Sequence, residues 1–220
     1  MDTKPSKGYV YILSAPSGTG KTTIGNLLLK QLPFLERVIT ATTRQPREGE
    51  KHGVDYYFLQ EEDFKKKIEE GYFLEWAKVY RYFYGTPKSE VKRITDQGKD
   101  ALLIIDVQGA LQVKKILPNA VSIFLLPPSL EELKNRLINR GERELELRLE
   151  WAKGEIPCAK HFDYLVVNDV LEKAVEEIKS IMIANRRRVS FILGGDNFKE
   201  LGLNGELINL IKGGKCHVSK

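Results

Sequence analysis

An apolar run, Tyr9–Ser14 (YVYILS), leads straight into Ala15-Pro16-Ser17-Gly18-Thr19-Gly20-Lys21-Thr22, and the segment that follows to Leu32 places Ile24, Leu27 and Leu28 at helical spacing. A run of β-formers, a glycine-rich turn and an amphipathic stretch predict a strand, a loop and a helix. The loop matches G-x-x-x-x-G-K-[ST] at every defined position but the first, where Ala15 replaces glycine. Between a strand and a helix, successive backbone N–H groups and the helix N-terminus can surround a phosphate. Lys21 can then reach the terminal phosphate oxygens, and the Thr22 hydroxyl can ligate Mg²⁺. A plain flexible turn is the alternative, and the strand-to-helix context argues against it. Ala15 also requires this corner to avoid the left-handed backbone region.

Further β-like runs occur at Ala101–Ile105, Val121–Leu126 and Tyr164–Val167, separated by helical stretches near 110–117, 129–139 and 144–156. Continuous apolar strands alternating with helices predict a three-layer α/β P-loop NTPase fold whose parallel sheet is covered on both faces. Ser129 followed by Glu132 predicts a capping box at a helix start. Between Thr40 and Gly98 the pattern changes to short strands, a charged helix over 61–70 with Phe64 and Ile68 on one face, and the aromatic segment Tyr80–Gly85. This reads as an inserted subdomain over about 40–98. The Arg- and Glu-rich stretch around Gly141 reads as a flap over phosphates, a lid spanning about 136–150. Past Arg188, Leu203, Leu207, Leu210 and Ile211 lie at helical spacing and predict a short helix in an extension, 187–220, beyond a domain at 8–186.

The chain has 220 residues, enough for one α/β domain with a core, and its hydrophobic share of 42% with 30% charged residues is that of a soluble protein. No stretch approaches the ~18 apolar residues of a membrane span. Residues 1–7 lack the apolar core of a secretory signal, so a cytoplasmic protein is expected. Cys158 and Cys216 form no CxxC pattern, which argues against a disulfide framework or a zinc site. The net charge of +5 is concentrated in residues 186–220, where seven Lys or Arg stand against three Asp or Glu. That distribution argues little for nucleic acid as a partner, although Arg186–Arg188 and the tail lysines could form a basic surface.

Thr42-Thr43-Arg44-Gln45-Pro46-Arg47 with Gly49-Glu50, Gly53-Val54-Asp55-Tyr56, Phe73-Leu74-Glu75-Trp76-Ala77 and Tyr84-Gly85-Thr86 resemble the guanylate kinase family in order and spacing. Asp106-Val107-Gln108-Gly109-Ala110, Pro127-Pro128-Ser129, Arg140-Gly141 and Val167-Asn168-Asp169 continue the resemblance over about residues 8–186. It implies an ATP:GMP phosphotransferase that moves the γ-phosphoryl group of ATP onto GMP, and onto dGMP, in guanine nucleotide synthesis and recycling. By the same resemblance, Arg136, Arg140 and Arg148 bridge ATP phosphates and the moving phosphoryl group, and Asn168 lies near adenine. Asp106, closing an apolar strand, suits the acid that holds Mg²⁺ or its water together with Thr22.

The chemistry of the acceptor fits the same residues. Arg44 and Arg47 can clamp a doubly charged phosphate while Tyr56 and Tyr84 supply hydroxyls. Guanine offers N1–H and N2–H₂ as donors and O6 as acceptor, which calls for a carboxylate such as Glu75 with hydroxyl donors such as Thr86 and Thr40. Adenine presents the opposite polarity there, so a site built this way leaves polar groups unpaired with AMP. Taken singly, each of these residues has an ordinary structural reading. For the lid arginines that reading is a solvated helix face paired with Glu142, Glu144 and Glu146, and Arg143 is assigned to it. A guanylate-kinase-like module that binds phosphopeptides without catalysis is the alternative function, and another nucleoside monophosphate kinase a further one. The chain departs from the family pattern at Ile104, where an acidic residue is usual, at Arg81-Tyr82, where Gly-Asn is usual, and in a lid a few residues shorter between Gly141 and Arg148. A homo-oligomer is compatible with all of these features.

Overall fold

Backbone pairing gathers the apolar runs into two sheets in the computed structural model, which describes residues 8–142, 144–195, 198, 201, 202 and 205–213. The first sheet has five strands, all parallel, in the order β2 (Leu35–Arg37), β7 (Asp100–Ile105), β1 (Val10–Ser14), β8 (Val121–Leu126) and β9 (Tyr164–Val167). β1 is paired on both edges, with Tyr11 opposite Leu102 on one side and Val121 on the other. β1, β7 and β8 are buried along nearly their whole length, which explains why they read as unbroken apolar runs instead of alternating ones.

Two helical layers cover this sheet. On one face Tyr11, Leu13, Leu102 and Ile123 pack with Ile24 and Leu28 of α1 (Lys21–Gln31) and with Val175, Ile178 and Met182 of α7 (Leu171–Arg186). On the other, Ile12, Ala101 and Leu103 meet Val91 and Ile94 of α3 (Lys88–Asp96) and Ala110 and Val113 of α4 (Val107–Ile116). This is the three-layer α/β arrangement of P-loop NTPases. α1, on one face, carries the chain from β1 to β2 beyond β7, while α4, on the other, carries it from β7 to β8 on the opposite edge of β1, so a crevice opens at the carboxyl end of β1.

The second sheet runs in the order β4 (Tyr57–Phe58), β3 (Ala41–Thr42), β6 (Tyr82–Pro87), β5 (Phe73–Val79), with β3 and β4 parallel and the remaining pairs antiparallel. Phe64 of α2 (Glu61–Glu69) is fully buried against it, stacked 4.5 Å from Phe73. Beside the crevice, α5 (Leu130–Asn139) and α6 (Leu145–Glu155) form a helical pair around Leu133, Leu137, Leu149 and Ala152. The stretch around Gly141 is thus the turn of a helical pair, and the leucines on either side give it a core that its charge-rich composition conceals. Arg143 lies outside the described residues. The Ser129 hydroxyl accepts the Glu132 N–H at 3.0 Å, but the Glu132 carboxylate accepts from Arg136 Nε at 2.8 Å. Only half of the capping box forms, because a guanidinium one turn on competes for the carboxylate.

The extension contributes α8 (Val189–Gly195) and α9 (Gly205–Gly213), the latter covering the predicted tail helix except Leu203, which lies outside the described residues. Arg186 is not part of a basic surface. It is buried, donates to Asp100 Oδ1 at 2.7 Å, and lies over Phe34 (4.4 Å) and Phe191 (5.3 Å). Phe191 of α8 in turn stacks 4.3 Å from Tyr9. No helix among the described residues is long and apolar enough to cross a membrane. Asp100 also accepts the Tyr9 N–H at 2.8 Å, so Asp100→Ala leaves a buried guanidinium without this carboxylate. Breaking such a pair costs ~3 kcal/mol, and a urea melt should show the midpoint fall with an unchanged slope.

Candidate functional site

The loop after β1 wraps the N-terminus of α1. Gly18 and Gly20 take φ of 91° and 104°, values that a side chain disfavours, and Gly20 is the cap residue just ahead of α1. Ala15 keeps an ordinary φ, as its replacement of glycine requires: among the described residues the sole non-glycine with positive φ is Tyr80. Asn168, which follows β9, donates from Nδ2 to the Thr19 carbonyl at 2.8 Å and braces the loop from behind. The Lys21 ammonium turns inward and donates to the carbonyls of Ala15 and Pro16. Burial pushes its pKa down and Arg140 adds to that, while the charges of Glu155 and Asp106 hold it up.

A single cavity of about 300 Å³ opens in front of this loop. Ala15, Ser17, Lys21 and Thr22 line one side of it, and Thr40, Arg44, Arg47, Tyr56, Glu75 and Tyr84 line another. Asp106 lies between them, spending Oδ1 on the Gly109 N–H at 3.0 Å as the cap of α4. The Thr22 hydroxyl and the Asp106 carboxylate, lining the same cavity, are hard oxygen donors suited to Mg²⁺, which kinase sites hold with one or two carboxylates plus substrate phosphates.

On the second sheet, the Arg44 guanidinium lies 2.9 Å from both Glu50 oxygens and 5.5 Å from the Tyr56 ring. Glu50 also accepts the Arg47 N–H at 2.7 Å, so this carboxylate sets the turn that carries both arginines. Glu75 is only 4% exposed and accepts the Thr86 hydroxyl at 2.6 Å. That hydrogen bond orients the Glu75 carboxylate. Gly109 makes room for the arrangement, since a Cβ there would sit 2.6 Å from Glu75 Oε2. Burial pushes the Glu75 carboxyl up to about 7, the Thr86 hydrogen bond opposes this, and the Asp106 charge adds to it.

The lid arginines divide. Arg148 lines the cavity, donates to the Ser17 hydroxyl at 2.9 Å and lies 2.7 Å from Glu142. Arg136 and Arg140 do not line it: Arg136 is held by Glu132 and by the Asn168 carbonyl at 3.0 Å, and Arg140 is exposed. Glu144 pairs with Arg81 at 2.9 Å instead of with a lid arginine. Arg37, Tyr80 and Glu155 also line the cavity and were not singled out from the sequence. Arg37 comes from a three-residue strand with no motif, and Glu155 closes a helix whose mixed charges read as solvated. Burial pushes Glu155 up to about 7, against the Lys21 charge and with that of Asp106.

A P-loop at a strand's carboxyl end, facing an arginine-, tyrosine- and carboxylate-lined wall across one cavity, defines a nucleotide-binding α/β protein of the P-loop class. The family described as guanylate kinase matches residues 7–185. Guanylate kinases of Caldanaerobacter subterraneus subsp. tengcongensis and Clostridium tetani are 48% and 50% identical, over 83% and 84% of this chain and 90% of each relative. The crystal structure of guanylate kinase from Anaplasma phagocytophilum superposes with a TM-score of 0.73 at 33% identity, covering 91% of this chain and 96% of that one. The chain belongs to the guanylate kinase family.

Two carboxyls raised to about 7, Glu75 and Glu155, make stability depend on pH. Between their ordinary value of 4.5 and about 7 the folded protein keeps protons that the unfolded chain has released. Their contribution to stability therefore falls as pH rises through that window and levels off above it. Thermal melts from pH 5 to 8 should show the melting temperature of Glu75→Gln/Glu155→Gln declining less steeply than that of the parent.

Proposed function

We propose that this chain transfers the γ-phosphoryl group of ATP to GMP, and to dGMP, giving ADP and GDP in cytoplasmic guanine nucleotide synthesis and recycling. The observation that supports this reading is one cavity lined both by Ala15, Ser17, Lys21 and Thr22 of the phosphate loop and by Arg44, Arg47, Tyr56, Glu75 and Tyr84, groups suited to a phosphate and a guanine base.

On the donor side the backbone of residues 15–22 surrounds the β-phosphate and Lys21 turns from its carbonyl partners toward the β/γ oxygens. Thr22 and Asp106 would hold Mg²⁺, which when bound supplies positive charge between the phosphates. On the acceptor side Arg44 and Arg47 clamp the GMP phosphate with the Tyr56 and Tyr84 hydroxyls, and Glu50 keeps the arginines aimed. Glu75, oriented by Thr86, accepts from guanine N1–H and N2–H₂, and Thr40 adds a hydroxyl. Arg148 reaches the moving phosphoryl group from α6, with Arg140 beside it, while Arg136 and Asn168 brace the donor loop on the adenine side. Phosphoryl transfer needs little covalent help, so alignment and charge neutralisation supply the rate. In this reading residues 8–186 are the catalytic domain, with the GMP-binding part at about 40–98, a lid at about 136–150 that closes to exclude water, and an extension at 187–220.

A phosphopeptide-binding module without catalysis has no use for a phosphate-loop lysine and a hydroxyl suited to a metal ion, and the presence of Lys21 and Thr22 in the cavity wall supports the catalytic reading. With ATP and Mg²⁺, ADP release is expected with GMP and dGMP and not with AMP, CMP or UMP. Lys21→Ala should abolish that turnover while leaving the melting curve nearly unchanged; full activity in this variant would refute the donor side. Glu75→Gln should raise the KM for GMP by tenfold or more with the KM for ATP little changed, and equal effects on both would remove Glu75 from guanine recognition.

A further inference from the structure

The β5–β6 hairpin is closed by a two-residue turn, Tyr80-Arg81, between the paired residues Val79 and Tyr82. Its first residue holds φ at 56°, a left-handed conformation that an aromatic side chain disfavours. A turn of this kind is where glycine or asparagine is the unstrained choice, so the position of the Tyr80 ring must be held by what it touches.

It touches the other side of the cavity. The ring lies 4.7 Å from that of Trp151 and 4.6 Å from the Arg148 guanidinium, two residues one turn apart on the same face of α6. Beside it Arg81 pairs with Glu144 at 2.9 Å, just ahead of α6. Arg148 in turn donates to Ser17 of the phosphate loop at 2.9 Å. The body of the same hairpin carries Glu75 on one strand and Tyr84 and Thr86 on the other. Five residues of extended strand, roughly 16 Å, separate the guanine carboxylate from the turn. One rigid hairpin therefore meets the base at one end and the Arg148 guanidinium at the other.

We infer that Tyr80 is a positioning residue for phosphoryl transfer: its ring, clamped between Trp151 and Arg148, fixes that guanidinium against the donor loop when the acceptor hairpin is in place. This rests on the reading of Arg148 given under the proposed function. The left-handed turn is what throws the ring across the cavity mouth toward α6.

The test uses the full-length protein in steady-state assays with both substrates varied. Tyr80→Asn keeps a residue that tolerates the left-handed turn and deletes the ring; kcat should fall about tenfold or more, with both KM values within about twofold of the parent. Tyr80→Phe restores the ring and should recover kcat to within about twofold, a rescue that loss of the hydroxyl alone cannot block. In the double variant Tyr80→Asn/Arg148→Ala the losses should not multiply, kcat matching that of Arg148→Ala. The inference is overturned by a kcat within twofold of the parent in Tyr80→Asn, by an equal loss in Tyr80→Phe, or by multiplying losses in the double variant. Full turnover in Arg148→Ala, with Tyr80 intact, would instead overturn the role of Arg148 and the positioning claim with it.

Discussion

Everything near the cavity is referred to one strand. β1 is hydrogen-bonded on both edges and covered on both faces, so the turn at its carboxyl end begins from a fixed point. The loop is then held from three directions: by the start of α1, by Asn168 from the end of β9, and by Leu133 and Leu137 of α5, which lie where a side chain on Gly18 would stand. A cradle of backbone N–H groups binds well only if it is already formed before the phosphate arrives, because ordering it afterwards would consume the binding energy. The parallel sheet supplies that order.

The wall that carries Arg44 and Glu75 is built on a different principle. It belongs to a small sheet with its own aromatic cluster around Phe64 and Phe73, and its polar groups are aimed by other polar groups. Glu50 sets Arg44 and Arg47, Thr86 sets Glu75, and Gly109 on the far side gives Glu75 its space. Removing any of these supports would leave the contacting residue present and wrongly placed. The phosphate-loop wall relies on backbone geometry, whereas the opposite wall relies on side-chain pairs.

Most of the central fold could be read from the sequence because buried parallel strands are continuous apolar runs: Tyr9–Ser14, Ala101–Ile105 and Val121–Leu126 announce themselves. β2 and β3 did not, since two or three residues carry no period, and the long α7 was passed over in a stretch without a motif. The cavity-lining residues that sit in a motif, such as Lys21, Arg44 and Glu75, were legible in the sequence. Those placed there by tertiary packing alone, Arg37, Tyr80 and Glu155, were not. Arg186 shows the same limit from the other side: three consecutive arginines suggest a solvated cluster, and nothing local reveals that the first is buried on Asp100 beneath two aromatic rings.

The α5–α6 pair keeps its leucine cluster apart from the two clusters that flank the main sheet. α6 meets the β5–β6 hairpin through Tyr80 with Trp151 and Arg81 with Glu144, contacts that lie outside both of those clusters, whereas α5 reaches the phosphate loop with Leu133 and Leu137. Substitutions in the hairpin turn can therefore alter how α6 is held without entering the packing of the sheet.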